Sequence, residues 1–438
     1  MSQKRHPCIQ SFYLLTTMLI RKLLGTTVLA LMTSCSFTYA QTSNLEHVSV
    51  LQSIDPANDN YADLEGLRQA IGKSRIVLLG EQTHGEASTF LAKTRMIKFL
   101  HEKMGFDVLA FESGFYDCAR IWENTLHGSP FAKELPGSLF YMYATSKQMT
   151  PLFDYIQANV KSASPLTVAG FESQHTGQYA KQQLFPDFEQ FLKQQHPALL
   201  DDNWALFRRV SLATFPSNTY RPTAEEQQIF FKELDKLKTA LSGSKNKSTH
   251  FTTSPGFWYQ VTCSIESQAK RYWGLTTGNE LSVRDKQMAD NLIWLAEKAF
   301  PGKKIIVWAH NIHIAKNTSE LEFHTGGPVP FLQTLVPMGA TVSRHFGKDA
   351  YAIGFSGAAG NYIDYTNDKL TAVPAPQPAS VEAQFTGYQH AFIDYRTAKG
   401  WLQQPQQATL FDFTPLKGTW PHVFDGLVFI RTSVPVDR

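Results

Sequence analysis

"RIVLLGEQTHGEASTFLAKTRMIKFL", residues 75–100, carries an apolar run into Gly80, crowds Glu81, Gln82, Thr83 and His84 into one turn, and then opens an amphipathic pattern. Ile76 to Leu79 show no polar alternation, the mark of a strand buried on both faces of a parallel sheet. After Gly85, Phe90, Ile97, Leu100 and Met104 share one stripe at helical spacing, and "MGFDV" (104–108) ends that helix and enters a second strand. Strand, helix, strand is a βαβ unit.

Working outward, the same kind of apolar run recurs as "FDVLAF" (106–111), "LTVAGF" (166–171), "KIIVWAH" (304–310), "YAIGFS" (351–356) and "GLVFIR" (426–431). The expected fold class is therefore α/β, a three-layer α/β/α arrangement with a mainly parallel sheet. Between the third and fourth core strands, roughly residues 178–300, "FPDFEQFLKQQ", "TAEEQQIFFKELDKLKTAL", "GFWYQVTCSIESQAKRYW" and "SVRDKQMADNLIWLAEKAF" read as helices. An insertion there is expected to cap a pocket above the strand ends, with "GFWYQ" near Trp258 and "GGPVPFL" near Phe331 as apolar walls or as core. The Pro- and Gln-rich stretch "VPAPQPASVEAQ" (373–384) reads as a rim loop.

Composition narrows the functional classes. With 438 residues, 43% hydrophobic and 18% charged, the chain has ample material for a large core and no signature of disorder. A net charge of +3 without a basic stripe argues against nucleic acid as a partner. Arg21 and Lys22, the apolar run "LLGTTVLALM" (23–32) and the small-residue site before Gln41 read as an export signal occupying residues 1–40, leaving a mature domain of residues 41–438. Met18 offers an alternative start, and Cys35 in "LMTSC" an alternative lipidation site, the one route to a membrane in this reading. The expected location is periplasmic or secreted. Cys118 and Cys263 lack CxxC spacing, so one disulfide or two buried thiols remain as alternatives.

In a parallel sheet, ligands bind beyond the carboxyl ends of the strands, where loops and helix N-termini converge. Glu81 and His84 follow the first strand there, Glu112 the second, Glu172 the third, and His310 and His313 the fourth. Each taken alone has a structural explanation, such as a helix N-terminus or a core histidine. Four successive strands delivering carboxylates and imidazoles to one edge point instead to a site. A neutral imidazole whose far nitrogen is held by a carboxylate is a general base for water. Crowded carboxylates are expected to raise one another's proton affinity, leaving one as an acid, and Arg284 is the cap's candidate for stabilising an oxyanion. A serine nucleophile is disfavoured because "GFSGA" around Ser356 lacks the last glycine of an elbow. No cofactor is expected. A divalent metal on His310, His313 and the carboxylates is the alternative, although no HExxH occurs.

"GEQTHGEASTFLAKTRMIKFLHEKMGFDVLAFESG" (80–114), "GFESQ" (170–174), "RDKQMADNLIWL" (284–295) and "VWAHNIHIAK" (307–316) resemble the erythromycin esterase family, in the same order and with similar separations. The resemblance implies the same fold and hydrolysis of a macrolide lactone, or a related small-molecule ester, by activated water. It implies His84 as general base, Glu81 and Glu112 as carboxylates beside it, Arg284 as the cap arginine and His310 with His313 as the second histidine pair. Lys93 stands where the family tends to have arginine, with Arg95 nearby, and Glu172 where a shorter aspartate is usual. These three are expected on the substrate-binding side. Haem-binding lipoproteins and metal-dependent peptidases of the same fold are the alternative classes.

Overall fold

The six apolar runs become six neighbouring parallel strands. The computed structural model describes residues 48–244, 248 and 250–438; the export signal and Cys35 lie outside the described residues. After β1 (Val48–Val50) come β2 (Ile76–Leu79), β3 (Val108–Gly114), β4 (Thr167–Glu172) and β5 (Ile305–Trp308), then β6 (Glu322–Phe323), β7 (Ala350–Asp364), β8 (Lys369–Ala372), β9 (His390–Asp394), β10 (Gln406–Phe411), β11 (Thr414–Gly418) and β12 (Gly426–Ser433). The main sheet runs β1-β9-β12-β7-β2-β5-β3-β4, with β8 paired to the outer part of β7. From β12 to β4 every neighbour is parallel, and β2, β3 and β5 are buried along their whole length. Burial on both faces is what the unbroken apolar runs require.

Helices cover both faces of this sheet. Ala87–Met104 is buried on nearly all sides, and it stops where Gly105 adopts φ 67°, a left-handed conformation that glycine takes without a Cβ penalty. At its start, a Cβ on Gly85 would lie 1.7 Å from the Ile363 carbonyl oxygen, so this glycine lets β7 pass close to the polar turn. Between β4 and β5 the insertion contains the helices Leu184–Gln195, Trp204–Thr214, Ala224–Ser242, Pro255–Tyr272 and Glu280–Trp294. No described helix is long and apolar enough to cross a membrane.

Several expectations need correction. The antiparallel strands β1 and β9 at one end of the sheet and the small antiparallel sheet β10-β11-β6 were not anticipated, nor was the helix Trp204–Thr214. For Trp258, read as either wall or core, the structure gives core: it lies within the insertion, its ring stacked on Phe188 with centroids 4.5 Å apart. Phe331 is 47% exposed and lies outside the main cavity. The stretch 373–384 is no rim either: it leads into a short helix whose Glu382 is buried and accepts a hydrogen bond from Ser356 Oγ at 3.0 Å. Cys118 and Cys263 are both free thiols.

Candidate active site

The "GEQTH" turn directly follows β2, and three of its side chains are fixed by different parts of the fold. Gln82 accepts from the Gly357 N–H at 2.8 Å and donates to the Thr409 carbonyl at 2.5 Å, tying the turn to β7 and β10. Glu81 is fully buried, and its carboxylate accepts four hydrogen bonds: from His84 Nδ1 at 2.5 Å, Tyr143 Oη at 2.6 Å, Trp308 Nε1 at 3.0 Å and Lys93 Nζ at 3.2 Å. Burial opposes the charge on Glu81, but Lys93 and the His84 hydrogen bond outweigh it and hold the carboxyl at about 2. For Lys93 burial outweighs the attraction of Glu81 and pushes the ammonium down to about 8. Both remain charged at neutral pH, and the ammonium also sits 4.0 Å from the Trp308 ring centroid.

An ionised carboxylate can only accept, so the His84 proton resides on Nδ1, and Nε2 is the nitrogen left with a lone pair. His84 lines a cavity of about 580 Å³ together with Glu112, Glu172, Arg284, His310 and His313. Aromatic edges confine its ring: Phe140 at 4.9 Å, Tyr365 at 4.7 Å and His310 at 5.1 Å between centroids. Much of the cavity wall comes from the β3-β4 connection, residues 137–141, and from Tyr365 beyond β7; the helix Glu280–Trp294 contributes Leu281 and Arg284.

Opposite His84 lies a second, more highly charged group. Arg284 donates through Nη2 to Glu112 at 3.0 Å, through Nε to Glu172 at 2.8 Å, and through Nη2 to Glu172 as well. Burial opposes ionisation of both carboxylates, yet His313 and Arg284 hold Glu112 well below the usual range, and Arg284 lowers Glu172. His313 Nδ1 faces Asp285 at 2.9 Å, and its Nε2 faces both Glu112 at 3.2 Å and Arg284 Nη1 at 3.0 Å. A proton on Nε2 serves the first of those two contacts, and a bare nitrogen the second. Burial disfavours the imidazolium, but Asp285 and Glu112 overcome it and push His313 up to about 10, so the proton stays. His310 caps the short helix Asn311–Ile314, where its Nδ1 accepts the Ile312 N–H at 3.1 Å and its Nε2 faces Asp412 at 3.2 Å.

The structure thus brings Glu112, Glu172, Arg284, His310 and His313 to the cavity of His84, with Glu81 directly behind. It does not bring Arg95 there. Arg95 points away from the sheet and is spent on Asp63, at 2.7 Å, and on the carbonyls of Ser53, Asn58 and Asn60. Lys93 also lies outside the cavity lining, wholly buried, so it acts on Glu81 and has no surface for a substrate. Nor does any of the three cavity carboxylates Glu112, Glu172 and Asp412 keep a proton, because each lies against a cation or imidazole that lowers it. Of the Arg284 nitrogens, Nη1 alone is not committed to a carboxylate, which restricts the role expected for it at an oxyanion.

Tyr143, Trp308, Asp285, Tyr365 and Asp412 were missed as site residues. Asp285 and Trp308 each neighbour a residue that was found, whereas Tyr143 and Asp412 lie in a helix and a hairpin that no strand-end rule reaches. For a metal, the donor set is poor: both nitrogens of His310 and of His313 are already engaged. Among the described residues no group of three or more His, Cys, Asp or Glu is arranged to hold an ion.

The profile of the erythromycin esterase family matches residues 101–433. The chain belongs to the erythromycin esterase family. Putative hydrolase YbfO of Bacillus subtilis strain 168 is 27% identical over 412 residues, 88% of this chain and 89% of that protein. Erythromycin esterase type II of Escherichia coli is 25% identical over 402 residues, 86% of this chain and 94% of that protein. A succinoglycan biosynthesis protein of solved structure has a TM-score of 0.73 at 18% identity, covering 89% of this chain and 95% of that one. A mutant of erythromycin esterase EreC in its open conformation has a TM-score of 0.66 at 16% identity, covering 88% and 97%. These structures share the α/β fold. Membership of the erythromycin esterase family, with the hydrolase names of its relatives, supports hydrolysis as the activity.

One carboxyl behind the family's site gives a pH signature. Glu86 is buried, accepts from Ser433 Oγ at 2.6 Å and from the Thr83 N–H at 3.3 Å, and is pushed up to about 7 by burial. Its folded state prefers the proton, so its contribution is full below the unfolded pKa of 4.5 and is lost as pH rises through 7, by roughly 3 kcal/mol at most. Asp117, also raised to about 7 by burial, adds a parallel slope. Urea unfolding of Glu86→Gln at pH 5 and pH 8 is expected to show a smaller loss of stability than the unsubstituted protein; equal losses would remove Glu86 as a source.

Proposed function

We propose that this chain is an exported ester hydrolase that opens a macrolide lactone or a related ester by general-base activation of water. The observation that carries the reading is His84, oriented through Nδ1 by a buried, ionised Glu81 and presenting its other nitrogen to a covered cavity of about 580 Å³. That volume falls within the range for sites that enclose most of a small molecule. A water bound at Nε2 gives up a proton to the imidazole as its oxygen bonds the acyl carbon. Glu81 stabilises the imidazolium that forms, and Arg284 Nη1 is the donor left to meet the developing oxyanion. Collapse breaks the bond to the alcohol oxygen, which takes the proton back from His84, leaving acid and alcohol.

Export rests on the leader read from residues 1–40. Leu139, Phe140, Leu281, Ile312 and Tyr365 supply the apolar wall that a bulky ester needs. The test is a panel of macrolides and aryl esters, assayed with and without chelator, in which opening of a macrolide ring appears as a mass gain of one water. Activity on the panel that survives chelation supports the proposal. No turnover of either class would sink it.

A further inference from the structure

One carboxylate of the cavity is held differently from the others. Asp412 lies in the two-residue turn between β10 and β11, where Phe411 pairs with Thr414 and both central residues have positive φ, 45° for Asp412 and 56° for Phe413. Turns of this kind favour Asn-Gly or Asp-Gly, because most side chains are strained in that region. Here the second position is a phenylalanine. The surroundings impose the conformation: the Phe413 ring stacks on Tyr362 with centroids 4.6 Å apart, and the Asp412 N–H donates to the Gln82 carbonyl at 2.9 Å. The "GEQTH" turn that carries His84 therefore also anchors Asp412.

What the strained turn delivers is a reachable carboxylate. Glu112 and Glu172 side chains are only 6% and 8% exposed and are engaged by Arg284, whereas the Asp412 side chain is 48% exposed and lines the same cavity. Among the described residues its ion-pair partner is His310 Nε2, at 3.2 Å, the Thr83 side chain also hydrogen-bonds the carboxylate, and the His310 ring lies edge-on to His84. Asp412 thus stands across His310 from the general base, and with half its side chain exposed it keeps acceptor capacity toward the cavity beyond the bonds from His310 and Thr83.

We infer that Asp412 is a further catalytic residue: it accepts a hydrogen bond from the attacking water and, with His84, fixes the direction of the oxygen lone pair. One water hydrogen points to His84 Nε2 and is the one transferred as the carbon–oxygen bond forms. The other points to Asp412, which stays ionised throughout. This inference rests on the hydrolase reading, and it gives a use for a backbone conformation that costs energy in a turn held by the buried Phe413.

The experiment compares Asp412→Asn and Asp412→Gly with the full-length protein, by ester kinetics and thermal melting. Asparagine tolerates the left-handed region and glycine relieves it, so both are expected to melt at the same temperature or higher. For both, kcat is expected to fall about 100-fold with KM changed less than about threefold. Retained kcat within threefold overturns the inference, and so does a clear drop in melting temperature of the glycine variant, which would make the carboxylate a structural tie. Were the unsubstituted protein to hydrolyse no ester, the hydrolase reading would fall by itself. The melting result would still decide whether this turn is held at a cost.

Discussion

Asparagine in place of His84 is expected to lower kcat/KM for an ester substrate by about 10³- to 10⁴-fold, the upper end of what a positioned base contributes. The fold should not notice. The asparagine amide can still donate to Glu81, so the buried carboxylate keeps four partners: the amide, Tyr143, Lys93 and Trp308. What disappears is the lone pair at the cavity side, which no neighbour replaces: His310 and His313 have both nitrogens engaged. Initial rates measured beside a thermal melt check this. A variant that melts normally yet keeps more than a tenth of the activity would show that His84 is not the base.

The second large effect concerns Arg284. Methionine fills most of the same volume without the charge, leaving Glu112 and Glu172 as neighbouring buried carboxylates deprived of their shared cation. Removing one partner from a buried ionic group costs about 3–5 kcal/mol, because the remaining charge is uncompensated. The sign with pH discriminates. In the unsubstituted protein both carboxyls lie below their ordinary value, so the stability they provide is present above pH 4.5 and is lost on acidification. In Arg284→Met, His313 still holds Glu112 down, but burial and the Glu112 charge push Glu172 above it, so the variant recovers relative stability as pH falls from 8 to 5.5. Urea unfolding at both pH values checks this. An equal deficit at both would mean that the guanidinium acts through packing alone.

The parallel half of the sheet was legible because burial on both faces forces unbroken apolar runs, and all six runs are strands. β1 and β9 were not, since short antiparallel strands such as "VSV" and "HAFID" carry too little periodicity to stand out. The strand-end rule found Glu81, His84, Glu112, Glu172, His310 and His313 because topology alone places strand ends together. Arg95 entered through the family resemblance instead and was misplaced: it shares a helix with Lys93 but points to the other side, and a two-residue offset on a helix is enough for that. The strand-end rule missed Asp412 because the hairpin carrying it belongs to a sheet with no strong sequence signal. The expectation that one cavity carboxyl keeps its proton and serves as an acid also failed, for a reason the sequence did not show: the cavity carboxylates are each matched by a cation or an imidazole.

The two ties that brace the "GEQTH" turn reach far along the chain, from Gln82 to Thr409 across 327 positions and from Glu86 to Ser433 across 347. β12, which carries Ser433, inserts between β7 and β9 and is synthesised after every other described strand. Loop closure over such spans comes late in folding, because its entropy must be met before the contacts return anything. A growing polypeptide therefore holds its reactive imidazole in an unbraced turn until β12 has emerged, and a chain cut short before β12 would have the parts of the centre without the frame that aligns them.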